Sequence, residues 1–200
     1  MCFGSAILMM AAACGREPLD WVCPDVGYGD LVLTEIRGPQ TGSDSPDWFE
    51  IYNASDRPLD LYGAQFFIRR LNGENPRTII VRDESVVVEP GAYVVLGQTF
   101  PGEEPAHIDY GYAQDFPVGL YDTAAIDILA CGEVIDRVEY RRLPRDASLA
   151  LDGALEPSAD VNQSASDGGE DSSWCADPEL QADTGLVGTP RESNRVCPEP

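Results

Sequence analysis

Residues 48–61 read Trp48-Phe49-Glu50-Ile51-Tyr52-Asn53-Ala54-Ser55-Asp56-Arg57-Pro58-Leu59-Asp60-Leu61 (WFEIYNASDRPLDL). Two apolar runs flank a dense cluster of turn formers, residues 53–58. Trp48, Phe49, Ile51 and Tyr52 favour the pleated, half-buried surface of a strand. Alternation puts Phe49 and Ile51 on one face and Trp48, Glu50 and Tyr52 on the other. The plain expectation is two short strands joined by a tight polar connection, a hairpin-like unit.

The same grammar runs outward in both directions. Residues 31–37 (LVLTEIR) form a convincing strand, with Val32, Thr34 and Ile36 on one face and Leu31, Leu33, Glu35 and Arg37 on the other. A polar loop, 38–46, leads into the opening stretch. Further strands are expected at 64–70, 78–81, 86–88, 92–96, 118–121, 125–130 and 148–151. Residues 133–140 alternate as Val134, Asp136 and Val138 against Ile135, Arg137 and Glu139. Turns at Asn72-Gly73, Pro90-Gly91 and Cys131-Gly132 separate these runs. Short strands, frequent turns and no convincing long helix point to an all-β sandwich. Loops on such a scaffold are the default contact surfaces, here 38–47 and 97–112.

The ends read differently. Residues 1–13 are apolar or small, uncharged, and too few to cross a bilayer as a helix. They read as a secretory signal peptide. Ala11-Ala12-Ala13-Cys14-Gly15 resembles the lipobox of bacterial lipoproteins, which implies lipidation at Cys14. Residues 14–30 are a polar leader and 31–156 the β core. Residues 157–173, rich in Ser, Asp and Gly, are expected to form a mobile acidic loop. Residues 174–200, with one tryptophan and two cysteines, are expected to return to the body and be stapled there.

Composition narrows the function. The chain of 200 residues carries 35 acidic and 13 basic residues, a net charge of −22. Nucleic acid is not expected as a partner, because phosphate contacts need basic side chains. The single histidine, His107, and the absence of C-x-x-C argue against a zinc site, so no cofactor is expected. Enzyme-like features are few. Asp20, Asp25, Asp30, Asp44 and Asp47 offer carboxylate pairs of the kind glycosidases use. His107 has Asp109 two residues on, a base with a possible orienting group, but no Gly-x-Ser-x-Gly elbow supplies a nucleophile. Residues 167–171 (DGGED) invite calcium without the spaced EF-hand pattern. A solvated acidic surface explains these groups at least as well.

Five islands together resemble the lamin tail domain family in its bacterial exported form: LVLTEI (31–36), WFEIYNASDRPLDLYG (48–63), VEPGAYVVL (88–96), GEVIDRVEY (132–140) and GTPRESN (188–194). Gly188, Thr189, Pro190 and Asn194 follow the family's closing pattern, and Arg191 stands where it usually has glycine. The resemblance implies an immunoglobulin-like β-sandwich with no catalytic constellation, in which Glu50, Asn53 and Asp60 are structural pins. With Cys2 removed and Cys14 lipidated, four cysteines allow three pairings. The expected bonds are Cys175–Cys197, closing the tail, and Cys23–Cys131, tying the leader to a turn. The function implied is a non-catalytic, lipid-anchored envelope module that binds or tethers another exported or envelope protein. An accessory domain for a separate exported hydrolase, a carboxylate- or calcium-dependent hydrolase, and a freely secreted form are the alternatives.

Overall fold

A computed structural model gives the fold, and residues 22–42, 45–165 and 173–199 are described. The expected signal peptide, Cys14, Asp20, Asp44 and residues 166–172 lie outside them. Among the described residues thirteen strands follow in chain order: β1 Leu31–Arg37, β2 Trp48–Asn53, β3 Leu59–Asp60, β4 Gln65–Arg69, β5 Arg77–Ile80, β6 Val87–Val88 and β7 Tyr93–Gly97. Then come β8 Tyr110–Gly111, β9 Ala124–Ala130, β10 Glu133–Tyr140, β11 Ser148–Leu151, β12 Ser164–Ala165 and β13 Trp174–Asp177. No helix occurs among the described residues.

The strands form three sheets. The six-stranded sheet has the order β13-β11-β1-β2-β7-β8, the five-stranded sheet β12-β10-β9-β4-β5, and the smallest pairs β3 with β6. One hydrophobic core takes side chains from all three, including Leu33, Phe49, Ile51, Leu59, Phe66, Ile126 and Val138. Phe49 of the six-stranded sheet meets Phe66 of the five-stranded sheet with ring centroids 5.3 Å apart. Tyr112 and Phe116 extend that aromatic row. Burying a large aromatic in such a row stabilises by about 2–3 kcal/mol.

Two β-bulges set which side chains reach this core. In β1 the pairing with β2 shifts between Leu33 and Glu35. Thr34 is the extra residue, so Ile36 joins Leu31 and Leu33 in the core, and Glu35 and Arg37 turn to the opposite face with Val32. In β10 the shift lies between Val134 and Asp136. Ile135 and Asp136 both become buried, while Val134 is 39% exposed. Strict alternation across these strands is therefore corrected at both places. The bulges are joined across the core. Leu33 N donates to Asp136 Oδ2 at 2.8 Å, and Asn162 Nδ2 donates to Leu33 O at 3.0 Å and to Asp136 Oδ2 at 2.7 Å. The backbone groups of Leu33 beside the bulge are thus satisfied by Asp136 of β10 and by Asn162 just before β12.

Three further expectations are corrected. The opening stretch is not a hairpin: β2 lies between β1 and β7, and β3 leaves to pair with β6. The cause is Asn53. Its side chain donates to Arg57 O and Val88 O at 2.9 and 2.8 Å and accepts from Ser55 N and Oγ at 2.9 and 2.7 Å. All four hydrogen-bonding positions of the amide are filled, which carries the chain out of the sheet. Residues 118–121 are not a strand, because Leu120 N is taken by Asp47 Oδ2 at 2.7 Å. Residues 157–165, assigned by composition to the acidic loop, carry β12 alongside β10 and bury Asn162 and Ala165.

The tail returns to the body through β13, antiparallel to β11. Disulfides join Cys175 to Cys197 and Cys23 to Cys131, with Cα separations of 5.8 and 5.1 Å. Cys131 and Gly132 both have positive φ, 52° and 83°, which makes the β9–β10 connection a tight two-residue turn.

Candidate functional site

The outer face of the six-stranded sheet holds a set of buried polar groups, including Glu35, Arg37 and Glu50. Its central row runs Cys175, Ala150, Glu35, Glu50 and Val95 across five strands. Glu35 and Glu50 are direct cross-strand partners and both are 0% exposed. A neighbouring row brings Arg37 opposite Trp48, both buried. The β1 bulge is what places Glu35 here: without it the carboxylate would point into the hydrophobic core.

Residues 188–194 lie across this face and supply the hydrogen-bond donors. Thr189 N donates to both Glu35 oxygens at 3.1 Å, and Thr189 Oγ1 donates to Glu35 Oε2 at 3.1 Å. Ser148 Oγ donates to Glu35 Oε1 at 2.5 Å. Glu50 accepts from Thr34 Oγ1 at 2.9 Å and from Arg191 N at 2.6 Å. Asn194 Nδ2 closes the segment onto Thr34 O and Leu151 O, at 2.9 and 2.8 Å. Gly188 has φ +96°, and a Cβ there would run into Glu35 Oε1 and Ser148 Oγ. Arg191 occupies the left-handed region at φ 71°. Its guanidinium donates to Ala106 O at 3.0 Å and pairs with Asp109 at 3.5 Å, so this arginine also clamps the 105–109 segment.

Burial raises the pKa of both carboxyls. Glu35 is pushed up to about 7 by loss of solvent, opposed by its bonds to Ser148 and Thr189. Glu50 is raised well above its ordinary range by burial and then by the Glu35 charge. Two carboxylates this close and this dry hold protons that water would take.

The other sequence candidates are scattered. Asn53 is fully buried at the end of β2, and exposed Asp60 makes a local bond, accepting from Tyr62 N at 2.9 Å. Asp25 and Asp30 pair with Arg57 at 3.4 and 3.2 Å, which ties the leader to the 53–58 turn. Asp47, the last residue of the loop after β1, is buried, and loss of solvent raises its pKa to about 6. His107 is buried, with its pKa lowered by burial and by Arg37. Asp109 accepts from Val95 N at 2.9 Å and faces Arg191 rather than orienting a base. Among the described residues no group of three or more His, Cys, Asp or Glu is placed to hold a metal ion, and no helix is long and apolar enough to cross a membrane.

The loops after β1 and β7 meet, with Gln98 N donating to Asp47 O at 2.8 Å. Between them lies an open cavity of about 500 Å³, lined by Pro39, Asp47, Gln98, Thr99, Phe100 and Glu103 among others. Phe100 is 52% exposed.

Glu35 and the Asp136–Asn162 pair were not singled out by sequence reasoning, and Thr189 entered only through the closing pattern of residues 188–194. A charged residue inside an apolar strand was the available signal for Glu35 and Asp136. Nothing local marked Asn162. No protein-family model and no curated protein matches the sequence.

Proposed function

We propose that this chain is a non-catalytic, exported interaction module of lamin-tail type. In this reading the two larger sheets form an immunoglobulin-like β-sandwich, and a lipid on Cys14 holds it at the bacterial envelope. One observation carries the non-catalytic part. The carboxylates that most resemble an acid–base pair, Glu35 and Glu50, have no exposed surface and are bonded to Ser148, Thr34 and the backbone of the returning tail. A group fixed this way cannot reach a substrate without the tail leaving. The converging loops after β1 and β7, with exposed Phe100, supply a contact surface on a rigid support.

The test is protein crosslinking with mass spectrometry on intact cells, together with metabolic lipid labelling. The expected result is a reproducible envelope-protein partner and lipid incorporation that disappears in Cys14→Ser. Absence of any protein crosslink overturns the module reading, and labelling that survives Cys14→Ser overturns the anchor.

A further inference from the structure

Residues 188–193 cross the six-stranded sheet between two fastened ends. At the first end the tail holds itself: Gly188 N donates to Glu179 O and Gln181 Nε2 to Pro190 O, each at 3.1 Å. At the second end Asn194 is bonded to Thr34 O and Leu151 O, Gly153 N donates to Arg195 O at 3.0 Å, and Cys197 is in its disulfide. The crossing itself contains a turn, with Glu192 N donating to Thr189 O at 3.0 Å. Its hydrogen bonds to the sheet come from Thr189 N, Thr189 Oγ1 and Arg191 N. Among the described residues all of these end on Glu35 or Glu50. The Arg191 guanidinium adds the contacts to Ala106 O and Asp109.

The two glutamates have no exposed surface and form no ion pair with a described residue. The polar and titratable groups around them come from every neighbouring element. Thr34 and Arg37 belong to β1, Tyr93 to β7, Ser148 to β11 and Asp177 to β13. His107 and Asp109 stand before β8, and Thr189 and Arg191 lie in the crossing segment. Arg37 donates to Pro46 O at 3.2 Å, and Asp177 is paired with Arg195 at 2.6 Å. Burial pushes the Tyr93 hydroxyl up to about 12 and lowers His107, so both are uncharged above neutral pH. Asp109, once ionised, holds Arg191 more firmly and opposes any lifting of the segment. The Asp177 and Asp109 charges make ionisation of the glutamate pair harder still.

We propose that residues 188–193 are a pH-gated strap, closed over the sheet while Glu35 and Glu50 are protonated and lifted as they ionise. Two anions on adjacent strands, with neither water nor a counter-ion beside them, repel each other and forfeit their hydration. Lifting the strap returns water to both. Under the strap Glu35 is held at about 7 against an ordinary 4.5, so the closed strap binds its proton more tightly than the open one. Closure is therefore complete below 4.5 and is lost as pH rises through about 7. Glu35 alone raises the opening constant by up to about 300-fold across that range. Glu50 acts in the same direction. Lifting also withdraws Arg191 from Ala106 O and Asp109, which frees the 105–109 segment, and Pro105 of that segment lines the loop cavity.

The experiment uses the full chain with its disulfides formed and follows hydrogen exchange by NMR between pH 5 and pH 8.5. Each rate is divided by that of an unprotected amide at the same pH, which leaves the opening constant. The strap is closed at pH 5, the condition at which its amides are compared with those of the strands. By pH 8.5 the opening constants of Thr189 and Arg191 are expected to rise about tenfold or more. The added exchange does not change in dilute urea, because a local opening exposes little surface. The rise shrinks in Glu35→Gln, disappears in E35Q/E50Q and is retained in Asp109→Asn, with near-ultraviolet circular dichroism checking that each variant is folded. Opening constants that stay flat with pH in the wild-type chain overturn the proposal without any variant. So does exchange at pH 8.5 that accelerates in dilute urea together with the β9 and β10 amides, since the whole domain and not the strap would then be opening. A rise that survives in E35Q/E50Q, or one lost in Asp109→Asn, overturns it as well.

Discussion

Glu35 and Glu50 face each other on adjacent strands with every donor supplied by the protein, and their chemistry follows from that enclosure. A carboxyl whose pKa rises on folding is held in its protonated form more tightly by the folded chain. Its contribution to stability is full below its ordinary value of 4.5 and is lost as pH rises through its folded value, about 7 for Glu35. Burial acts in the same direction on Glu50, Asp47, Asp109 and Asp136. Thermal denaturation should therefore give a higher Tm near pH 5 than near pH 8. In Glu35→Gln, which keeps an acceptor for Thr189, that drop becomes smaller; an undiminished drop would mean the pair is not its source. Gly188 is a second decisive residue. Alanine there must adopt φ near +96° and displace Glu35 and Ser148. Urea denaturation of Gly188→Ala should show a loss of about 2–3 kcal/mol.

At the scale of elements, the tail and the paired bulges are the parts most open to test. The tail is fixed by β13, by the 188–194 segment and by a disulfide closing a separation of 22 residues. Replacing Cys175 and Cys197 with serine should lower stability by about 3 kcal/mol, chiefly by loosening the unfolded chain. Limited proteolysis should then cut first between residues 178 and 199. The bulges of β1 and β10 are bound through Asp136 and Asn162. Asn162→Ala leaves Leu33 O buried without its side-chain donor, and chemical denaturation should show a loss of about 2–3 kcal/mol. These bulges also mark what sequence could reveal. The limits of β1, β10 and β11 were legible because apolar alternation between turn residues survives in them. The faces were not, because a bulge inserts one residue without changing composition, and everything beyond Thr34 and Ile135 swaps sides. The 53–58 turn was equally legible as a turn, but its destination depended on Val88, which is 35 positions from Asn53.

For the whole molecule, the all-β class was the part legible in the sequence. Both cysteine bonds in the structure are the pairs expected from where the cysteines fall, in a leader, a turn and a tail. The outer face of the six-stranded sheet was hidden because it is made by a segment more than 130 residues away from Glu50. Glu50 alone could have been a solvent-facing charge; only the returning tail turns it into a buried anchor. Whether the buried carboxylates hold the tail is read most directly by hydrogen–deuterium exchange at the amides of Thr189 and Arg191. Both should exchange as slowly as the β1 and β2 amides in the wild-type chain, and faster in Glu35→Gln/Glu50→Gln. Fast exchange of both amides in the wild type, at the rate of an exposed loop, would contradict it.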